Sequence, residues 1–115
     1  MIPAGVEIYV AVAPIDLRWG FDRLAGVAHE QLGKDARSGA LLVFFGKRKS
    51  AVKVLFFDGS GMCLFYKRLD SRTFRVPQSL RPESACIELS ERELDDLLDG
   101  IDVEPEPGPR RGRVH

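Results

Sequence analysis

The stretch from Leu41 to Val76 constrains this chain more than any other. It holds short apolar runs rich in Val, Phe and Leu, broken by turn residues rather than by anything long enough to cross a sheet. Leu41-Leu-Val-Phe-Phe45, Ala51-Val-Lys-Val-Leu-Phe-Phe57, Met62-Cys-Leu-Phe-Tyr-Lys-Arg-Leu69 and Thr73-Phe-Arg-Val76 read as four consecutive strands. Asp58-Gly-Ser-Gly61 is the clearest turn, because glycine takes positive φ without a steric cost. Parallel neighbours need a crossover of a dozen residues or more, so these connections predict an antiparallel meander.

A meander puts its first and third turns at one end of the sheet. The first carries Lys47, Arg48 and Lys49, with Lys53 just inside the next strand. The third is flanked by Lys67, Arg68, Arg72 and Arg75, with Asp70 the acid among them. These eight cations are expected to form one positive end. A formal net charge of zero hides this. Residues 37–81 carry ten Lys and Arg against Asp58 and Asp70, whereas residues 82–109 carry ten acids against Arg92. Charge is segregated along the sequence, and the basic half points to a polyanionic partner.

Elsewhere the chain reads as one α+β domain over residues 1–102. Val6 to Val12 is β-rich and ends before Pro14. Phe21, Leu24, Ala25, Ala28 and Leu32 recur at helical spacing, with Gly33 placed to stop the helix and Asp16 a candidate cap. Ser90-Glu-Arg-Glu93 is a capping box opening a short C-terminal helix, with Leu94, Leu97, Leu98 and Ile101 as its apolar stripe and Gly100 as its stop. Its other face is acidic. The fold expected is therefore an antiparallel β-meander sheet, an N-terminal helix packed on it and a short C-terminal helix. Both faces of the sheet are apolar, and one helix covers only one of them. The second cover must come from the C-terminal helix, the N-terminal strand or another copy of the chain. Residues 103–115 are too rich in Pro and Arg to bury anything and read as a disordered tail, with Arg110, Arg111 and Arg113 as a mobile grip on phosphate.

Several chemistries are poorly supplied. No Walker loop, dinucleotide-binding glycine pattern, HExxH or nucleophile elbow occurs. Two cysteines, Cys63 and Cys86, make neither a disulfide framework nor a zinc spacing, and Cys63 reads as a buried, inert thiol. His29 stands alone on its helix without a carboxylate partner. Neither a cofactor nor a catalytic or metal site is expected. The N-terminal residues lack a signal-peptide pattern, and with few cysteines the expected setting is cytoplasmic. Basic and aromatic residues interleave at Phe65-Tyr-Lys-Arg68 and Arg72-Thr-Phe-Arg75, an arrangement that can stack bases while neutralising phosphate. Phe44, Phe56 and Phe65 are assigned to the core, while Tyr66 and Phe74 stay open.

Ile15-Asp-Leu-Arg18, Gly20-Phe-Asp22, Val43-Phe44, Leu98-Asp-Gly-Ile-Asp102 and above all Lys53-Val-Leu-Phe-Phe-Asp-Gly-Ser-Gly-Met-Cys-Leu-Phe-Tyr-Lys-Arg-Leu69 carry a resemblance. They resemble the small TnpB-type (Orf2-like) accessory proteins of the insertion-sequence 66 transposable elements, over about residues 3 to 102. The chain departs from that pattern in having Phe56-Phe57 for a Trp pair, Trp19 for a basic residue and Ala36 for Pro. The resemblance implies a bacterial accessory factor for DNA transposition, acting beside a separate transposase that carries the catalytic acids. On this reading Lys47, Arg48, Lys49, Lys53, Lys67, Arg68, Arg72 and Arg75 bind DNA near the element ends. The rival is a protein–protein adaptor, as a homodimer or alone, that docks on the transposase through the uncovered sheet face or the acidic helix without touching DNA. A third reading makes the chain an enzyme with Cys63 as nucleophile.

Overall fold

A computed structural model describes residues 5–75 and 84–99. Its strands are β1 (Ile8–Ala11), β2 (Leu41–Phe45), β3 (Ala51–Phe57), β4 (Met62–Arg68) and β5 (Cys86–Leu89). Helix α1 (Phe21–Val27) runs on into a π-helical turn over Ala28–Leu32, and α2 (Glu91–Leu98) follows β5. The single sheet has the order β4-β3-β2-β1-β5.

The expected meander holds for β2, β3 and β4, which pair antiparallel with Phe45 opposite Val52 and Ala51 opposite Arg68. The sheet as a whole is mixed. β1 lies parallel to β2, with Ile8 opposite Leu41. The turns of the meander are too short for a parallel crossover, but the connection from β1 to β2 contains the whole of α1 and is not. β5 then returns along the free side of β1 in antiparallel register, with Val10 opposite Ile87. Among the described residues the fourth meander strand does not form. Residues 73–75 leave the sheet, and Val76 lies outside the described residues.

This topology answers the question of the second apolar face. Val10, Val43, Val52, Val54 and Phe45 pack with Leu94, Leu97 and Leu98 of α2, while Leu42, Phe44 and Leu55 pack with Leu24, Val27 and Ala28 of α1 and its π-helical turn. The helices sandwich the sheet, so its central strands can be apolar on both sides. Fully burying each leucine of α2 contributes about 1.5–3 kcal/mol.

Local signals explain the boundaries. Gly33 takes φ 66°, and the N–H groups of Gly33 and Lys34 both donate to the Ala28 carbonyl, closing the π-helical turn. Ser90 Oγ accepts the Glu93 N–H at 3.1 Å while Glu93 Oε1 accepts the Ser90 N–H at 2.8 Å. Asp16 does not cap α1. Gly20 occupies that position, and Asp16 instead turns back on Arg18, accepting its backbone N–H at 2.9 Å and its guanidinium at 2.7 Å. Gly100 and the tail from residue 103 lie outside the described residues.

The β3–β4 turn is held by one carboxylate. Asp58 Oδ1 accepts the N–H of Ser60 at 2.8 Å, its hydroxyl at 2.9 Å and the N–H of Gly61 at 2.9 Å. Gly59 supplies φ 99°. These bonds, that from the Ser60 N–H foremost, lower the Asp58 carboxyl from 3.8 to about 2. A carboxyl lowered by folding stabilises fully above its unfolded value and loses that contribution as pH falls through the folded one. The melting temperature should therefore fall between pH 4 and 2 less steeply in Asp58→Ala than in the wild-type chain. Parallel curves would show that the turn carboxylate does not act in this way.

Candidate nucleic-acid interface

The two basic segments meet. The Leu69 N–H donates to the Ser50 carbonyl at 2.9 Å, and the Phe74 N–H donates to the Lys49 carbonyl at 2.7 Å. The Phe74 ring is fully buried and tilts against Phe45 with centroids 5.5 Å apart. The chain from 69 to 75 is thus fastened beside the β2–β3 turn by two hydrogen bonds and one buried ring. Lys47, Arg48, Arg68, Arg72 and Arg75 are exposed there, and Lys49 is half-buried. Among the described residues Lys47, Arg48, Lys49 and Arg72 have no ion-pair partner. Arg75 has a partner of its own.

The turn itself has an unusual residue. Lys49 donates its N–H to the Gly46 carbonyl at 3.1 Å and takes φ 58°, the one non-glycine positive φ among the described residues. A turn closed by a left-handed residue before β3 ordinarily puts glycine or asparagine there, since a side chain costs about 1–2 kcal/mol. A third cation stands at the position where a side chain is dearest.

Two of the eight expected cations are not at this surface. Lys53 is 9% exposed, and its ammonium donates to the Trp19 carbonyl at 2.8 Å while lying 5.4 Å from the Tyr66 ring. Strand alternation explains the correction. Lys53 faces the α1 side, in a row between Phe44 and Tyr66, under the segment leading into α1. Lys67 faces the other side and donates to the Leu98 carbonyl at 2.6 Å, where a cation complements the negative end of α2. Both lysines fasten the fold. Arg37, another basic residue of the 37–81 stretch, lies 5.7 Å from the Phe57 ring at the far end of β3.

The aromatics divide cleanly. Phe44 and Phe74 are buried, Phe56 and Phe65 are half-buried against the α2-side core, and Tyr66 is 48% exposed. Arg68 Nη2 donates to the Tyr66 hydroxyl at 3.2 Å. Residue pattern alone could not separate Tyr66 from Phe74, since both stand among cations.

Other chemistry is meagre. A cleft of about 270 Å³ lies between α1, residues 35–37 and Met62, with His29, Asp22, Asp35 and Arg37 in its walls. Among the described residues no group of three His, Cys, Asp or Glu side chains is placed to hold a metal ion. Cys63 is half-buried rather than buried, and desolvation, then the Asp58 charge, pushes its thiol up, away from the reactive thiolate. No helix among the described residues is long and apolar enough to cross a membrane.

A family model described as IS66 Orf2 like protein matches residues 6–107. Two proteins of Sinorhizobium fredii are similar over most of their length. The uncharacterized protein y4hO is 40% identical over 104 residues, covering 89% of this chain and 88% of its own. The uncharacterized protein y4jC is 33% identical over 98 residues, covering 85% and 81%. No solved structure matches. The match takes in every strand and both helices, and the chain belongs to the IS66 Orf2-like family, with a transposition-associated accessory role.

Proposed function

We propose that this chain is a non-catalytic accessory protein that holds DNA by its phosphates, near the ends of the transposable element, through Lys47, Arg48, Lys49, Arg68 and Arg72. The observation that carries the reading is the pair of hydrogen bonds joining residues 49–50 to 69–74, which gathers cations from two distant segments onto one surface. Exposed cations with no ion-pair partner among the described residues, at one end of a sheet, suit a regular row of phosphates, and they position a duplex without reading its sequence. A lysine kept at φ 58° supports the same reading, because strain is retained where a side chain is needed.

Binding should be measured on terminal element DNA, with and without the transposase, across a salt series. Five phosphate contacts predict that log K falls against log salt with a slope of about −4.5. A slope near zero would remove the proposal. The adaptor reading loses the open sheet face it called on, since α2 fills it, and keeps the acidic surface of α2. A transposase pull-down that survives about 0.5 M salt through a protein lacking DNA affinity would favour the adaptor instead.

A further inference from the structure

The exposed aromatic ring at the margin of the basic surface has no role in gripping a duplex by its phosphates. Tyr66 sits on β4 on the α1 side of the sheet and is nearly half exposed. Two contacts hold it in place. The Arg68 guanidinium donates to its hydroxyl at 3.2 Å, and the Lys53 ammonium lies 5.4 Å from the ring centroid while bonded to the Trp19 carbonyl. A surface tyrosine normally keeps its rotamers in play. Here the ring is pre-positioned, so stacking on it costs little further side-chain entropy.

Its place in the sheet ties it to the cations. Arg68 is the next residue on the same face and pairs with Ala51, just past the Lys47–Lys49 turn. A nucleic-acid strand held by those cations passes within one or two residues of the ring. Duplex DNA keeps its bases stacked on each other and has nothing to offer an isolated aromatic. An unpaired base does, and aromatic stacking with neighbouring cations is the usual basis of single-strand binding.

Resting on the reading of the basic surface as a DNA contact, we propose that Tyr66 is a stacking platform for an unpaired base, so that the protein favours DNA with single-stranded character. Such DNA arises wherever a duplex end is frayed or melted. The phosphate grip and the ring then act together, the first setting the path of the backbone and the second selecting strands whose bases are free.

The test measures fluorescence anisotropy of a labelled oligothymidylate of about 12 nucleotides, a length within single-strand site sizes, beside a duplex of equal length. The expected result is an approximately tenfold loss of oligothymidylate affinity in Tyr66→Ala, retention in Tyr66→Phe and an unchanged duplex affinity in both. Light-induced crosslinking of an iodouracil-substituted oligonucleotide to the wild-type protein should map to Tyr66, and it needs no variant to fold. Equal oligothymidylate binding by wild type and Tyr66→Ala, or a crosslink that maps elsewhere, would overturn the platform. Duplex binding without oligothymidylate binding would overturn the platform alone, whereas binding of neither would remove the phosphate grip with it.

Discussion

Replacing Lys47, Arg48 and Lys49 together by glutamate should abolish retention of element-end DNA in a gel shift while leaving the melting temperature close to that of the wild-type protein. Removing three phosphate contacts lowers the salt slope by about 2.7, and at about 0.15 M salt that alone weakens binding roughly a hundredfold. The three new carboxylates then repel the backbone, so the loss should be larger still. Stability should hold because Lys47 and Arg48 are exposed and the three side chains have no ion-pair partner among the described residues. Glutamate at position 49 inherits the left-handed strain already borne by lysine, so that term does not change between variants. Unaltered DNA binding by the triple variant would remove the proposed function.

Lys53 and Lys67 supply the contrast. Both fall within the basic stretch of the sequence, yet one ammonium is spent on the Trp19 carbonyl and the other on the end of α2. Neutralising either is expected to disturb the fold rather than the phosphate grip. The distinction between a cation that binds outward and one that binds inward lies in strand alternation and in what covers each face. Charge counting along a sequence does not contain it.

The same physics decides how much of the structure was readable in advance. The β2–β4 meander, the Asp58 turn, the Gly33 stop and the Ser90 capping box are local features, each specified by residues within a few positions of each other, and each forms as expected. The parallel pairing of β1 with β2 depends on residues more than thirty apart, and nothing in Ile8-Tyr-Val-Ala11 states its neighbour. β5 is four residues long with an exposed glutamate at its third, so its β-signal is weak and its partner supplies the specificity. The meeting of the two basic turns was legible because a meander dictates it. The burial of Lys53 was not, since it needs the Trp19 segment folded over β3, a contact set by α1 packing.

Phe74→Ala should then be the most damaging single substitution at the basic end, costing about 3–5 kcal/mol, a large part of the 5–15 kcal/mol that holds a domain of this size together. The ring is 2% exposed, lies against Phe45 and belongs to the core shared by Val52, Val54 and the leucines of α2. Its backbone N–H makes the 2.7 Å bond that fastens residues 69–75 to the Lys49 turn. Removing the ring leaves a cavity beneath that segment and loosens the stretch that carries Arg72 from the Lys49 turn to which the Phe74 N–H fastens it. Two readouts should move together in urea and salt titrations: a lower unfolding midpoint, and a shallower salt slope for DNA at a temperature where the variant is still folded. A variant that loses less than about 1 kcal/mol and keeps the wild-type slope would mean that the two basic segments converge without Phe74. If stability falls but the slope does not, the ring holds up the core and the two backbone hydrogen bonds are enough to assemble the surface. Only the joint loss makes the buried phenylalanine the residue through which packing builds the charged end.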